Sequence, residues 1–211
     1  MATPYEFVVN HLRTHLPSAR IEPAIDPDER RRHDLLAHVY HSGINGRFGD
    51  DFTTFNLKYP GGYPFYYPLQ LSFPGQRPLA VSIAPGFDYL QRFTRPDTDS
   101  RALLAHYGYW RIETSVDPAT DDFWILMLCL PTGGSQYLVL PTPQLKQMLG
   151  RTHNPEKFSL FLAKAGFCFA AQPLAAANRL AVLQNPSLLD GAENSDLKMD
   201  YFLNNWSQLC G

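Results

Sequence analysis

Phe123-Trp124-Ile125-Leu126-Met127-Leu128-Cys129-Leu130 is an apolar run without a polar interruption. It is too short to cross a bilayer as a helix, which needs ~20 residues. It also lacks the polar face of a surface helix. A strand covered on both sides fits it, because such strands read as continuous hydrophobic stretches. Thr132-Gly133-Gly134-Ser135 turns the chain, and Tyr137-Leu138-Val139-Leu140 returns. Thr142 then caps a helix, with Pro143 at its first position and Gly150 just past its end. Two buried strands followed at once by a helix give an α/β core.

The flanks extend the same grammar. Leu69 to Phe73 alternates with period two, Pro74 to Pro78 turns, and Leu79 to Ala84 follows as a strand, which is a hairpin pattern. Phe52 to Tyr59 and Trp110 to Val116 are further strand candidates, and Phe167 to Ala171 a short one. Asp117 to Asp121 is a turn. Glu6 to Leu16 carries Phe7, Val8, Leu12 and Leu16 at helical spacing, between Pro4 and Pro17. Helices are also expected over 34–41, 99–107, 156–165, 174–183 and 195–209, the last with Leu197, Tyr201, Phe202 and Trp206 on one side. The sum is a single α/β domain over residues 1–211, with a mixed central sheet flanked by helices.

Composition narrows the function. With 45% hydrophobic residues and a net charge of -2, the chain is not disordered as a whole. It also lacks the basic excess of a dedicated nucleic-acid binder. Arg30-Arg31-Arg32 is its basic run, directly behind Asp26, Asp28 and Glu29. It reads either as a solvated helix start or as a phosphate-contact patch. Cys129, Cys168 and Cys210 form no CxxC pair, so buried free thiols in a reducing compartment are expected rather than a zinc site. No signal peptide and no membrane span is visible, and a cytoplasmic location is the expectation.

Four constellations bear on chemistry. His33, His38 and His41 cluster, with His38 and His41 on one helix face, but without the glutamate that makes a zinc-protease helix specific. Asp50-Asp51 precede a strand bearing Asn56-Leu57-Lys58. A carboxylate followed by a polar-x-Lys triplet is the layout of a magnesium phosphodiesterase site, with the acids holding the metal and the lysine meeting phosphate charge. Asn56 supplies a neutral ligand where an acid would attract the cation better. Magnesium is therefore expected only if the site is active, and no other cofactor is implied. No serine has a G-x-S-x-G frame, and no phosphate-binding loop is present. Finally, Tyr59 to Phe73 interleaves Tyr63, Phe65, Tyr66 and Tyr67 with Pro and Gly. These rings offer stacking platforms for bases, an anchor for a protein partner or a second copy of the chain, or simply core cover.

The stretch from Asp122 through Leu128, the turn, and Tyr137-Leu138-Val139-Leu140-Pro141-Thr142-Pro143-Gln144-Leu145 resembles restriction-endonuclease-like proteins of the PD-(D/E)XK superfamily. There a strand led by Asp is followed by a strand that steps through Pro-Ser/Thr into a helix. Asp200 to Leu209, with Tyr201 and Trp206-Ser207-Gln208-Leu209, resembles their closing helix. The resemblance implies a nuclease-like fold. It also implies (Asp/Glu)-x-Lys on a preceding strand, yet Leu79-Ala80-Val81-Ser82-Ile83-Ala84 has neither acid nor lysine. A degenerate site is therefore expected, in a protein that acts by binding nucleic acid or a protein partner in a DNA-related or defence setting. Asp50, Asp51 and Lys58 are the residues that would carry catalysis; Tyr63, Tyr66, Tyr67, Arg30, Arg31 and Arg32 would carry binding.

Overall fold

The computed structural model describes residues 4–31, 66–87, 104–111, 116–130, 134–150, 157–163, 168–170 and 199–210. Helix α1 spans Pro4–His15. Strands β1 (Arg20–Pro23), β2 (Tyr67–Ser72) and β3 (Leu79–Phe87) follow, then β4 (Leu104–Arg111), β5 (Phe123–Cys129) and β6 (Ser135–Pro141). Helix α2 is Thr142–Gly150, and β7 (Lys157–Ala163) and β8 (Cys168–Ala170) come after it.

Five strands form one mixed sheet in the order β1-β2-β3-β5-β6. Two antiparallel hairpins meet in its middle: β2–β3 turns through Gly75, at φ 76°, and β5–β6 closes with the Leu130 N–H on the Gly134 carbonyl at 2.9 Å. They join through the parallel pair β3–β5, in which Val81 lies opposite Phe123 and Phe87 opposite Cys129. The fold class expected from the sequence is thus the one observed.

The continuous apolar run of β5 has the reason inferred for it. Ile125 and Met127 point into a core with Val81, Ile83, Leu69 and Leu71, covered by Tyr5, Val8, Val9 and Leu12 of α1 and by Leu16 just beyond it. Those helix positions recur every three or four residues, so one stripe faces the sheet. Trp124, Leu126 and Leu128 point to the opposite face and are equally buried. There α2 packs on β5 and β6 with Leu145, Met148 and Leu149 buried.

Two expected helices are strands. Residues 104–111 and 157–163 pair antiparallel as β4 and β7, with β8 completing a three-stranded sheet. Tyr107, Tyr109 and Trp110 favour an extended backbone, and Gly108 disfavours a helix. In Lys157-Phe158-Ser159-Leu160-Phe161-Leu162 the long-range pairing overrides the helix-start signals of Asn154 and Pro155. Trp110 ties this sheet to the larger one by donating its indole N–H to the Ala84 carbonyl at 3.0 Å.

The closing segment also departs from expectation. Residues 199–210 are two 3-10 turns, Asp200–Phe202 and Trp206–Leu209, rather than one helix. Between them Leu203 bridges to Leu138, and Asn204 adopts φ 53°. Its N–H donates to the Tyr137 carbonyl at 2.7 Å, and its Oδ1 accepts from the Tyr137 N–H at 3.0 Å. Gln208 donates to the Val139 carbonyl at 3.0 Å. The segment spends its backbone on the edge of β6, which a continuous helix cannot do. Trp206 then stacks on His15 with centroids 4.7 Å apart, and Tyr137 meets both rings edge-on. Cys210 is exposed, against the expectation of a buried thiol.

Candidate functional site

Among the described residues, polar groups gather at the N-terminal end of β5, where the 117–122 turn delivers two adjacent carboxylates. Asp117 builds the turn: its carboxylate accepts the Ala119 N–H at 3.0 Å, and its carbonyl accepts the N–H groups of Thr120 and Asp121 at 3.0 and 3.1 Å. Such side-chain-to-backbone bonds are how Asp initiates turns.

Asp122 is fully engaged. Its backbone N–H donates to the Ala80 carbonyl at 2.8 Å, and its carboxylate accepts the Ala80 N–H at 2.9 Å. Arg77 grips the same carboxylate with both terminal nitrogens, at 2.6 and 3.1 Å. The Thr142 N–H donates to the Asp122 carbonyl at 3.1 Å, linking the head of β5 to the start of α2. The Arg77 hydrogen bond is the main reason that the Asp122 carboxyl lies below the ordinary carboxylate value, with the Ala80 N–H adding to it.

Asp121 is shifted the other way. Burial raises its carboxyl above the usual value, and the negative charges of Asp122 and Asp117 add to the rise. Ser82, buried in β3, donates its hydroxyl to Asp121 at 3.0 Å and opposes the shift. The Trp124 indole N–H also favours the ionised form from nearby, although it reaches no well-aligned hydrogen bond and is buried. The neighbouring residues thus differ because burial dominates at Asp121 and the Arg77 guanidinium dominates at Asp122.

A groove of about 440 Å³ opens beside these groups. Gln70, Arg77 and Asp121 give it polar walls; Pro78, Pro118 and Ala119 give it small apolar ones. Among the described residues that line it, two carboxylates, Asp121 and Asp122, face the guanidinium of Arg77. Among the described residues, no group of three or more His, Cys, Asp or Glu side chains is placed to hold a metal ion.

None of the residues singled out from the sequence that the structure describes lines this groove. Asp50, Asp51, Asn56, Lys58, Tyr63, Arg32 and the histidines 33, 38 and 41 lie outside the described residues. Arg30 sits over the Tyr5 ring at 5.1 Å, and Arg31 pairs with Asp28 at 3.3 Å on the surface. Tyr66 is half-buried with its ring 5.0 Å from that of Trp124. Tyr67 belongs to β2 and is 1% exposed, its ring edge-on to Tyr5 at 5.7 Å, so it is core and not a stacking platform. Arg77 and Asp121 carry no motif that marks a site in the sequence, and Ser82 lacks a G-x-S-x-G frame. The available signals were the doubled aspartate just before an apolar strand and a serine inside another. No protein-family model, curated protein or solved structure matches the chain.

Proposed function

We propose that this chain acts by binding rather than by hydrolysis, on a nuclease-like scaffold whose metal site is degenerate, in a DNA-related or defence setting. The observation that carries the reading is the Arg77 fork on Asp122. The leading Asp of β5 already has a cation, and the Ala80 N–H takes a further lone pair. A carboxylate so engaged has little left for a divalent ion, which needs several oxygen ligands. The neighbouring strand β3 brings the hydroxyl of Ser82 to this point, where the resemblance implied an acid and a lysine.

The test is incubation of the full chain with plasmid DNA and magnesium. Uncut plasmid is expected, together with duplex binding that weakens steeply as salt rises. Magnesium-dependent cutting that Lys58→Ala abolishes would overturn the reading. It would assign catalysis to Asp50, Asp51 and Lys58 instead.

A protein partner is the second reading, and one observation favours it. The acidic excess at the groove repels phosphate and attracts basic groups. Any DNA contact would then use another face, such as that of Arg30 and Arg31.

A further inference from the structure

We infer that the groove at the head of β5 is a receptor for a basic side chain of a partner protein, with Asp121 as its counter-ion. The inference rests on the reading that the chain works by binding, and it names the chemistry of what is bound.

Three independent observations converge. The first is shape and lining. A groove of about 440 Å³ with walls from Pro78, Pro118 and Ala119 suits an aliphatic stem, which lysine and arginine carry beneath a charged head. The second is the charge inventory. Arg77, the groove's own cation, is committed to Asp122 by two short hydrogen bonds. Asp121 therefore faces the groove without a cationic partner among the described residues that line it. The third is the donor set behind Asp121. Ser82 donates its hydroxyl from the buried side. Trp124, opposite Ser82 on the neighbouring strand, is buried and its indole N–H has no hydrogen-bond partner. The Ser82 hydroxyl orients the carboxylate from within the sheet, and Asp121 lines the groove, where a cation would be supplied from outside.

An arginine head satisfies this arrangement better than a lysine head. Its fork donates to a carboxylate and leaves further N–H groups for the Gln70 side-chain amide, which also lines the groove. Inorganic phosphate does not satisfy it, since it would meet the Asp121 carboxylate while Arg77 is held by Asp122.

The experiment uses the full-length chain, labelled with 15N. Its probes are a blocked glycyl-arginyl-glycine peptide, the same peptide with neutral citrulline, and inorganic phosphate. The arginyl peptide is expected to shift the Ala80, Ala119 and Thr120 amides saturably, with the citrulline peptide roughly tenfold weaker or worse. Asp121→Asn keeps the shape of the carboxyl and the Ser82 contact, and is expected to erase that preference. Ala119→Leu lies on an exposed turn; it fills the groove without touching charge and should weaken both peptides. Equal binding of the two peptides, an undiminished preference in Asp121→Asn, or tighter binding of phosphate would each overturn the inference. The plasmid assay separates the two levels. Saturable arginine binding with cut plasmid would sink only the hydrolysis-free reading; uncut plasmid with no peptide preference would sink only this one.

Discussion

Asp121 at the head of β5 and His15 at the end of α1 are each pushed towards the neutral form by burial, yet their surroundings are opposites. Burial raises the Asp121 carboxyl and lowers the His15 imidazole, with His11 lowering the latter further. Around His15 the neighbours are rings: Trp206 stacked at an interplanar angle of 9° and Tyr137 edge-on. The junction surrounds one side of the still exposed imidazole with rings and brings no charge to it. Around Asp121 the neighbours are a hydroxyl, an indole N–H and two further carboxylates, beside an open groove. The same direction of shift therefore accompanies ring packing in one region and leaves a carboxylate without a cation beside a groove in the other. The difference teaches that a shifted ionisation marks a candidate site only where the surroundings remain chemically incomplete.

The comparison can be broken most forcibly at the aromatic junction. Trp206→Ala removes the ring that joins α1, β6 and the closing segment. It is expected to cost about 3 kcal/mol in denaturant unfolding, near the low end for large aromatic truncations because the residue is only partly buried. Peptide preference at the groove should survive it. Asp122→Ala strips the partner from the Ala80 N–H and frees Arg77; a loss of about 1–2 kcal/mol is expected by the same measurement. In that variant the released guanidinium should also turn to Asp121 and weaken arginine-peptide binding. Ser82→Ala removes one inner donor. It is expected to cost about 1 kcal/mol and to raise the Asp121 carboxyl further, as read by carboxyl 13C titration.

The smallest effects are the pH slopes, and they sharpen the contrast by sign. The raised Asp121 carboxyl contributes stability that is full below the ordinary value of 3.8 and is lost as pH climbs through its folded value. The lowered His15 contributes stability that is full above 6.5 and is lost as pH falls through its folded value. Asp122, also lowered, contributes above 3.8 and loses its contribution below. Asp121 and Asp122 thus oppose each other in acid. Thermal midpoints measured across pH should fall more steeply on acidification in Asp121→Asn than in the parent chain, and less steeply between neutral and mildly acidic pH in His15→Gln.

Much of the larger sheet was readable because its signals are local. The apolar block at 123–130, the Gly75 turn between two short strands, and the Thr142-Pro143 helix start each carry their own cue within a few residues. The errors fell where distant pairing decides. Residues 104–111 and 157–163 become strands because each finds the other, across some fifty residues of chain. Asn204 is drawn into αL geometry by the edge of β6 and not by its neighbours in sequence. The site was legible only as fragments. Arg77 reads as a turn residue, Ser82 as a strand interruption and Asp121 as the end of a turn. Nothing in the spacing says that the parallel β3–β5 pair brings them together. Tyr67 read as a possible platform because an aromatic beside prolines looks the same whether it faces water or the core.

The knot at Asp122 has a consequence for how the chain assembles. Each hairpin, β2–β3 and β5–β6, closes through a handful of residues, whereas the seam between them joins positions about forty apart. Local pieces form early and non-local pairing comes late, so zipping this seam is the expected slow event. A slip of one position there would send Trp124 to the α1 side and Ile125 to the other, exchanging the two cores. Arg77 and Ala80, both on the first hairpin, recognise a single residue at the front of the second. The ion pair earns its place as an alignment mark, worth more to the accuracy of the zipper than to the depth of the folded minimum.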